Sequence, residues 1–391
     1  MTASTEAVQH GLSEHSHDYS VPVQTRSERF KSTKLDDFSA VSKREETWRY
    51  FDLDKLAGLD GSELDEFSGD IGWTDVAGVT TSWVGAENQL FGAAGLPEDR
   101  PSAAAWQAAS QAYLLNFAAE TSFSGLNRLQ LGATSSSPEA LHLIVNVGAG
   151  SKAALLLDHA GKATLGENLE IIVGDNAQLT LISVQGWQKG STHLSSHFIK
   201  LGRNASIKHV VVTLGGDVVR VNPSAVFAGV GGDAELFGLY FAEAGQYQEH
   251  RLFVDHAVAN CRSRVTYKGA LQGEKAHTVW VGDVLIRAEA EGTDTYELNR
   301  NLLLTDGARA DSVPNLEIET GQIEGAGHAS ASGRFDDDQL FYLQARGISE
   351  HEARQLVVRG FLNEVIQKLG DEALEAELTQ AVEAKLARSG S

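Results

Sequence analysis

Val147-Gly148-Ala149-Gly150-Ser151 begins a pattern that recurs as Val173-Gly174-Asp175-Asn176-Ala177, Leu201-Gly202-Arg203-Asn204-Ala205 and Val230-Gly231-Gly232-Asp233-Ala234. The first residues of these segments are 26, 28 and 29 positions apart. An alternating run such as residues 178–182 (QLTLI) follows each segment. A repeat of this length is typical of stacked supersecondary units, in which glycine supplies a positive φ angle at the corner and a small alanine avoids a clash. The pattern therefore predicts a parallel β-helix.

The residue pattern of the chain changes on both sides of these repeats. Over about residues 140–320, short runs of Val, Ile and Leu alternate with Gly, Asn and Asp, and helical periodicity is absent. We predict a mainly β fold with a right-handed parallel β-helix (β-solenoid) core at 136–334. An N-terminal mixed and helical region at 36–135 and a C-terminal helical region at 335–391 flank it, after a flexible tail at 1–35. A β-sandwich also gives short, regularly spaced strands and remains an alternative on the pattern alone.

An alanine-rich run over residues 101–120 carries the clearest helix signal before the repeats. Pro and Ser at its start are typical of a helix N-terminus. We predict a helix whose aromatic face packs against a larger element, because four residues recur at helical spacing: Trp106, Ser110, Tyr113 and Phe117.

Three helices are predicted after the core. The first follows the acidic run at 336–338 and stops at Gly347, and the second begins with a capping box formed by Ser349 and Glu352. The last spans about residues 373–386. Such helices can cap the last rung of a solenoid or offer a surface to another chain. The second helix is expected to bury one apolar face, consisting of Ala353, Leu356, Val357, Phe361 and Val365.

Composition excludes several classes of protein. The 391 residues include 32 basic and 53 acidic side chains and a single cysteine, Cys261. One cysteine cannot close an intrachain disulfide or provide a Cys-pair zinc site. The net charge of −21 disfavours nucleic acid and anionic membranes as partners. Since no apolar targeting segment and no membrane-spanning stretch are evident, we expect a cytoplasmic protein.

Residues 297–361 carry a succession of features found in one known family. A Leu-rich strand and an acidic turn precede residues 314–318 (PNLEI), and His328 follows in a stretch of Gly, Ala and Ser before 340–343 (LFYL) and 346–348 (RGI). This succession resembles the core domain of the SufB/SufD family of iron–sulfur cluster assembly proteins. Residues 168–177, 183–187 and 48–50 (WRY) resemble further parts of that family. The resemblance covers most of residues 30–370 and implies a parallel β-helix with helical regions before and after it.

The cysteine content indicates which kind of member the chain resembles. SufB-like members supply a thiolate near the end of the core, and other SufD-like members can carry a Cys two residues before the His, where this chain has Ala326. The chain therefore resembles the SufD partner, a non-catalytic scaffold subunit. The resemblance places His328 at the interface with a SufB-like subunit, as a candidate iron ligand for a transient iron–sulfur cluster. No cofactor is expected to stay bound to the isolated chain.

Other chemistry-bearing residues are weaker candidates. Cys261 is a weak metal candidate, because its place in an alternating run favours an inert core position. His193 and His197 would share a face, but no third ligand is evident nearby, and polar ladders on the outside of a β-helix give the same pattern. We expect no catalytic or metal-binding role for the remaining candidates, which are His10, His15, His17, Gln185, Trp187, Asp255 and His256.

The chain lacks a phosphate-binding loop, because residues 161–163 (GKA) have neither the upstream Gly nor the Ser/Thr of that motif. Any ATP dependence must come from another chain. The resemblance implies a SufC-like ATPase that docks on residues 336–370. Candidate contacts there are Arg346, Glu350, Arg354 and Arg359, although a solvated helix face gives the same pattern.

Two other functions remain alternatives. A homodimeric scaffold acting alone would combine one Cys and one His328 from each chain. A carbohydrate-active β-helix enzyme would need clustered carboxylates, for which Asp283, Asp294 and Glu297 are loose candidates.

Overall fold

The computed structural model describes residues 29–335 and 337–388. Residues 1–28 of the predicted tail, including its three histidines, and Asp336 lie outside this description. From β4 onward, successive strands alternate between two sheets. The strands are β1 (Asp65–Glu66), β2 (Asp70–Trp73), β3 (Val79–Val84), β4 (Ala112–Phe117), β5 (Asn127–Ala133), β6 (Pro138–Val147), β7 (Lys152–Gly161), β8 (Thr164–Val173), β9 (Gln178–Gln185), β10 (Thr192–Leu201), β11 (Ser206–Thr213), β12 (Val218–Phe227), β13 (Asp233–Ala242), β14 (Tyr247–His256), β15 (Arg262–Leu271), β16 (His277–Ile286), β17 (Asp294–Leu303), β18 (Arg309–Ile318) and β19 (Gly325–Arg334).

Each coil contributes one strand to each sheet. One sheet runs in the order β3-β4-β6-β8-β10-β12-β14-β16-β18, with β1 beside β6, and the other runs β2-β5-β7-β9-β11-β13-β15-β17-β19. Pairing is parallel from β4 and β5 onward, whereas β3 and β2 join their sheets antiparallel. The predicted parallel β-solenoid is therefore confirmed, and a sandwich is excluded. Apolar side chains from both sheets fill the interior, as in Leu143, Ile171, Ile199 and Val265.

The register explains the sequence repeat and corrects its fourth member. Val147, Val173 and Leu201 are stacked partners, and the next partner is Phe227, three residues before the expected Val230. Val230 lies in the following turn and is exposed. The assignment was wrong because the turn between β12 and β13 is one residue longer than the preceding two, so a second glycine imitates the pattern.

The leading glycine of the first three segments has a different role from the predicted one, whereas Gly231 of the fourth has the predicted positive φ angle. In the first three segments the positive φ angle occurs two residues later, at Gly150, Asn176 and Asn204, which stack with Gly231 at one corner. The first glycine instead allows close approach of neighbouring coils. A Cβ on Gly148 would lie 2.5 Å from the nitrogen of Ala119, and one on Gly174 would lie 2.8 Å from the nitrogen of Ala149.

The alanine-rich run forms a shorter helix than predicted. Helix α1 spans Arg100–Ala108, and its aspartate cap, Asp99, accepts a hydrogen bond from the nitrogen of Ser102. The chain then enters β4, so Tyr113 and Phe117 belong to a strand. Pairing of β4 with β3 and β6 satisfies its backbone and overrides the helical spacing.

The flanking elements cover the outer faces of the sheets. Three short 3-10 turns occur at Leu35–Asp37, Glu46–Trp48 and Leu53–Leu56. Trp48 and Phe51 pack with Val218 and Tyr247 on the ten-stranded sheet. The Arg220 guanidinium lies 3.7 Å from the Trp48 ring centre and 3.5 Å from the Asp99 carboxylate.

The C-terminal helices lie along the nine-stranded sheet. They are α2 (Asp337–Gln344), α3 (Glu350–Ile366) and α4 (Glu372–Arg388). The predicted capping box of Ser349 and Glu352 is present. The buried face of α3 differs from the predicted one, because Val358 and Leu362 face the sheet whereas Leu356 is 49% exposed. Among the described helices, none combines the length and apolarity needed to cross a bilayer.

Candidate functional site

The C-terminal end of the solenoid is open. β18 and β19 are the last strands of their sheets, and within the described residues no strand pairs with their outer edges. Unpaired backbone groups of this kind are available to a strand of another chain.

His328 lies on β19 directly opposite Glu297 of β17. Register partners on neighbouring parallel strands face the same side, so His328 continues the interior row that Glu297 occupies one coil below. Glu297 is buried, whereas His328 is exposed at the open end. The small neighbours Gly327 and Ala329 leave the imidazole accessible.

The Glu297 carboxyl is buried without a hydrogen-bond partner among the described residues. Burial, together with the charge of Asp283, raises the pKa of Glu297 to about 8. The group is therefore largely protonated at neutral pH and can act as a proton donor. The sequence indicates Glu297 only as one of three loose carboxylate candidates for a carbohydrate-active enzyme. Its separation of 31 residues from His328, which is the length of one coil, is the sequence signal that could have placed the two side chains together.

The other carboxylates of the carbohydrate hypothesis each have a partner of their own. Asp283 accepts a hydrogen bond from Asn315 at 2.5 Å, and Asp294 forms an ion pair with Arg264.

A polar network lies beside Glu297 under the last coil. Asn299 Nδ2 donates to the Tyr240 hydroxyl at 2.9 Å, and Ser312 Oγ donates to Asn299 Oδ1 at 2.7 Å. Asn301 Nδ2 lies 3.1 Å from the hydroxyls of both Ser312 and Ser332. The interior row therefore becomes polar at the open end.

Cys261 is buried in the apolar core at the turn before β15. Its Sγ lies 3.5 Å from the Ala259 carbonyl and 3.7 Å from the Gly229 carbonyl. Burial raises the pKa of the thiol. Cys261 is two strands from β19 and four positions from the level of His328, which is about 10 Å across and about 13 Å along the strands. The structure therefore does not bring Cys261 and His328 together.

The residues suggested for ATPase docking lie on α3 or just before it. Glu350 and Arg354 pair at 2.9 Å within α3, and Arg359 pairs with Glu383 of α4 at 3.2 Å. The Arg346 guanidinium lies 4.2 Å from the Tyr342 ring centre. The same two helices expose three large apolar side chains, Phe341, Tyr342 and Leu356, which we call the α2–α3 patch.

His193 and His197 both lie on the interior row of β10, not on the outside. They have different partners. His197 Nδ1 lies 3.0 Å from His209 Nε2, whereas His193 Nε2 lies 3.0 Å from Glu167 Oε2. His159 Nε2 approaches the same carboxylate at 3.3 Å. The expectation that no further ligand lies near His193 was wrong, because Glu167 and His159 are brought in from other strands of the coils.

Asp255 and His256, the remaining candidate pair, form hydrogen bonds with different partners. Asp255 makes two 2.7 Å hydrogen bonds with Arg287, and His256 Nε2 lies 2.9 Å from Ser263 Oγ.

The fold and the open end define a class of protein, a parallel β-solenoid with an unpaired terminal coil that exposes a histidine. Residues 130–361 match the family model described as SUF system FeS cluster assembly, SufBD core domain. The chain is 48% identical over 371 residues to an iron–sulfur cluster assembly SufBD family protein of Mycobacterium tuberculosis, covering 92% of this chain and 93% of that one. It is 28% identical over 221 residues to the SufD proteins of Escherichia coli and Bacillus subtilis, covering 56% of this chain and 52% and 49% of theirs. The chain belongs to the SufB/SufD family of iron–sulfur cluster assembly proteins, as its sequence predicts.

Proposed function

We propose that the chain is a SufD-type, non-catalytic scaffold subunit that pairs with a SufB-like scaffold and a SufC-like ATPase in the cytoplasm. The observation that carries this proposal is the open coil end, where His328 is accessible while the only cysteine is buried elsewhere. Such a subunit can offer an imidazole and two strand edges, but thiolate ligands have to come from a partner. Relatives named SufD support the same assignment.

The nascent iron–sulfur cluster is cargo at the joint between the two subunits. A neutral His328 imidazole offers a nitrogen lone pair to iron. The Glu297 carboxyl lies one coil below and, once it has lost its own proton to solvent, can accept the proton that a partner thiol releases. The edges of β18 and β19 extend into the partner by backbone hydrogen bonding, which fixes His328 relative to the partner's ligands.

The α2–α3 patch is the proposed ATPase-docking surface. Its three exposed apolar side chains share helices α2 and α3 and the turn between them with Arg346, Glu350, Arg354 and Arg359, so both apolar and charged groups are available to a partner. Movement of these helices on ATP binding would be transmitted to the sheet through the packing of α3 on β13 and β15.

Co-expression with a SufB-like and a SufC-like protein tests the assignment. The three chains should elute together on gel filtration. Leu356→Ser should release the ATPase and retain the SufB-like subunit, whereas Val230→Ser, at a turn residue of similar exposure (46% against 49%), should release neither. Three separate elution peaks would contradict the proposal. A homodimer that does not bind the SufB-like chain would favour a scaffold acting alone.

A further inference from the structure

A buried group of three side chains in the middle of the solenoid is not used by the proposed function. His159 of β7, Glu167 of β8 and His193 of β10 are buried, and their ligand atoms lie within 4.8 Å of one another. The three strands belong to both sheets and to successive coils. β19 is six strand positions from β7, which is about 29 Å at the usual strand spacing. The group is therefore separate from the open end.

Hydrogen bonds fix which nitrogen of each imidazole carries a proton. His159 Nδ1 lies 3.0 Å from the Val184 carbonyl oxygen, which can only accept. His193 Nδ1 lies 2.8 Å from Gln185 Oε1. The identity of that oxygen is secured by the Trp187 indole, which can only donate and contacts it at 3.2 Å. Both Nδ1 atoms therefore donate, and the Nε2 atom of each neutral ring bears a lone pair.

Both lone pairs point at an acceptor. The Nε2 atoms of His159 and His193 lie 3.3 and 3.0 Å from the Glu167 carboxylate. Two neutral rings and a carboxylate cannot satisfy one another at these distances, so either a proton on Nε2 or a metal cation has to lie between each ring and the carboxylate. Two ligands bound to one zinc ion at tetrahedral geometry are about 3.3 Å apart. The two imidazole–carboxylate separations are close to that value, and all three ligand atoms lie within 4.8 Å of one another.

The surroundings resemble the outer shell of a metal site. Imidazoles that bind metals through Nε2 commonly donate Nδ1–H to a carbonyl oxygen, as both do here. Ser195 Oγ donates to Glu167 Oε2 at 2.9 Å and orients the carboxylate. The Trp187 ring centre lies 5.3 Å from each imidazole centre and closes one side.

We propose that His159, Glu167 and His193 hold one divalent transition-metal ion, Zn²⁺ or Fe²⁺, through the two Nε2 atoms and the carboxylate. Such a donor set suits both ions. The ion joins strands of both sheets and is a resident structural ion. This revises the expectation that the isolated chain keeps no cofactor, and it does not depend on the proposed function.

Metal analysis of the full chain, expressed alone in medium supplemented with zinc or with iron, tests the site. We expect about one ion per chain that survives EDTA treatment, without acid-labile sulfide. The two media distinguish Zn²⁺ from Fe²⁺. Iron accompanied by equimolar sulfide would indicate a cluster instead and would overturn the proposal.

Matched variants locate the ion. Glu167→Gln and His193→Asn should each lower the bound metal at least about tenfold. His197→Asn, on the same strand and the same interior row but paired with His209, should retain it. Equal loss in all three variants would contradict the assignment.

Refolding of the wild-type chain keeps the test decisive if the variants fail to fold. Refolding with Co²⁺ should give a visible absorption band typical of nitrogen and oxygen ligands, and Zn²⁺ should raise the Tm relative to refolding in EDTA. Absence of both effects would show that the two histidines are protonated and form a metal-free ion pair with Glu167.

Discussion

The middle and the open end of the solenoid place the same kinds of side chain on the same interior surface, yet with different outcomes. In the middle, His159 and His193 have coils above and below, and each ring has a fixed partner at Nδ1. At the end, His328 has a coil on one side only and is exposed. A polar side chain in the middle of the solenoid is therefore held by the coils on both sides of it. A polar side chain on the last coil is available to contact another molecule.

Glycine substitutions should reveal this difference most strongly. A Cβ on Gly269 would lie 1.8 Å from the ring of buried Tyr240, whereas a Cβ on Gly333 of β19 would meet nothing within 4 Å. We expect Gly269→Ala to lower the free energy of unfolding by about 3 kcal/mol or more and Gly333→Ala to change it by less than about 0.5 kcal/mol. Chemical denaturation measures both. Equal stabilities would show that the stacked coils below the open end are not tightly packed.

The sequence predicts the solenoid because its corners require particular residues. The stacked Gly150, Asn176 and Asn204 recur at nearly one coil length, and the family resemblance identifies the same core. The sequence does not predict strand β4, because the residues of β4 have helical spacing and only the pairing with β3 and β6 makes them a strand.

The sequence also conceals contacts between coils. Glu297 and His328 are 31 residues apart, and Glu167 and His193 are 26 apart, close to the coil length in each case. His159 is linked to Glu167 across the interior, from one sheet to the other, which no local pattern encodes. Exact coil lengths vary with each turn, so the register has to come from the structure.

The buried carboxyl at the end of the interior row should make stability depend on pH. The pKa of Glu297 is about 8 in the folded chain, against an ordinary value of 4.5. Between these pH values the unfolded chain releases a proton that the folded chain retains, so stability falls as pH rises from about 4.5 to about 8, by up to about 1.4 kcal/mol per pH unit. We expect Glu297→Gln to remove this part of the fall.

Thermal or chemical unfolding between pH 5 and pH 8, compared between wild type and variant, isolates the contribution because the other titrating groups are common to both. Glu324→Gln, at an exposed carboxylate next to β19, serves as the control and should leave the slope unchanged. Parallel curves for wild type and Glu297→Gln would mean that the carboxyl is ionised.

Serine hydroxyls give the smallest contrast between the two regions. Ser183 is fully buried and accepts a 2.8 Å hydrogen bond from Gln185 Nε2, so Ser183→Ala leaves a buried donor unsatisfied and should cost about 1–3 kcal/mol. Ser332 is exposed, and Asn301 keeps Ser312 and Asn299 as partners without it. Ser332→Ala should cost less than about 0.5 kcal/mol by denaturant titration. A reversed order would contradict the comparison.

The most direct test of the account is the cluster content of the co-purified complex with SufB-like and SufC-like partners, reconstituted anaerobically. His328→Ala should leave the complex intact and lower its labile sulfide, with the iron that accompanies the sulfide, at least about tenfold, while Ser330→Ala, two residues along the same row, should retain the wild-type cluster. Full cluster content in an intact His328→Ala complex would contradict the account.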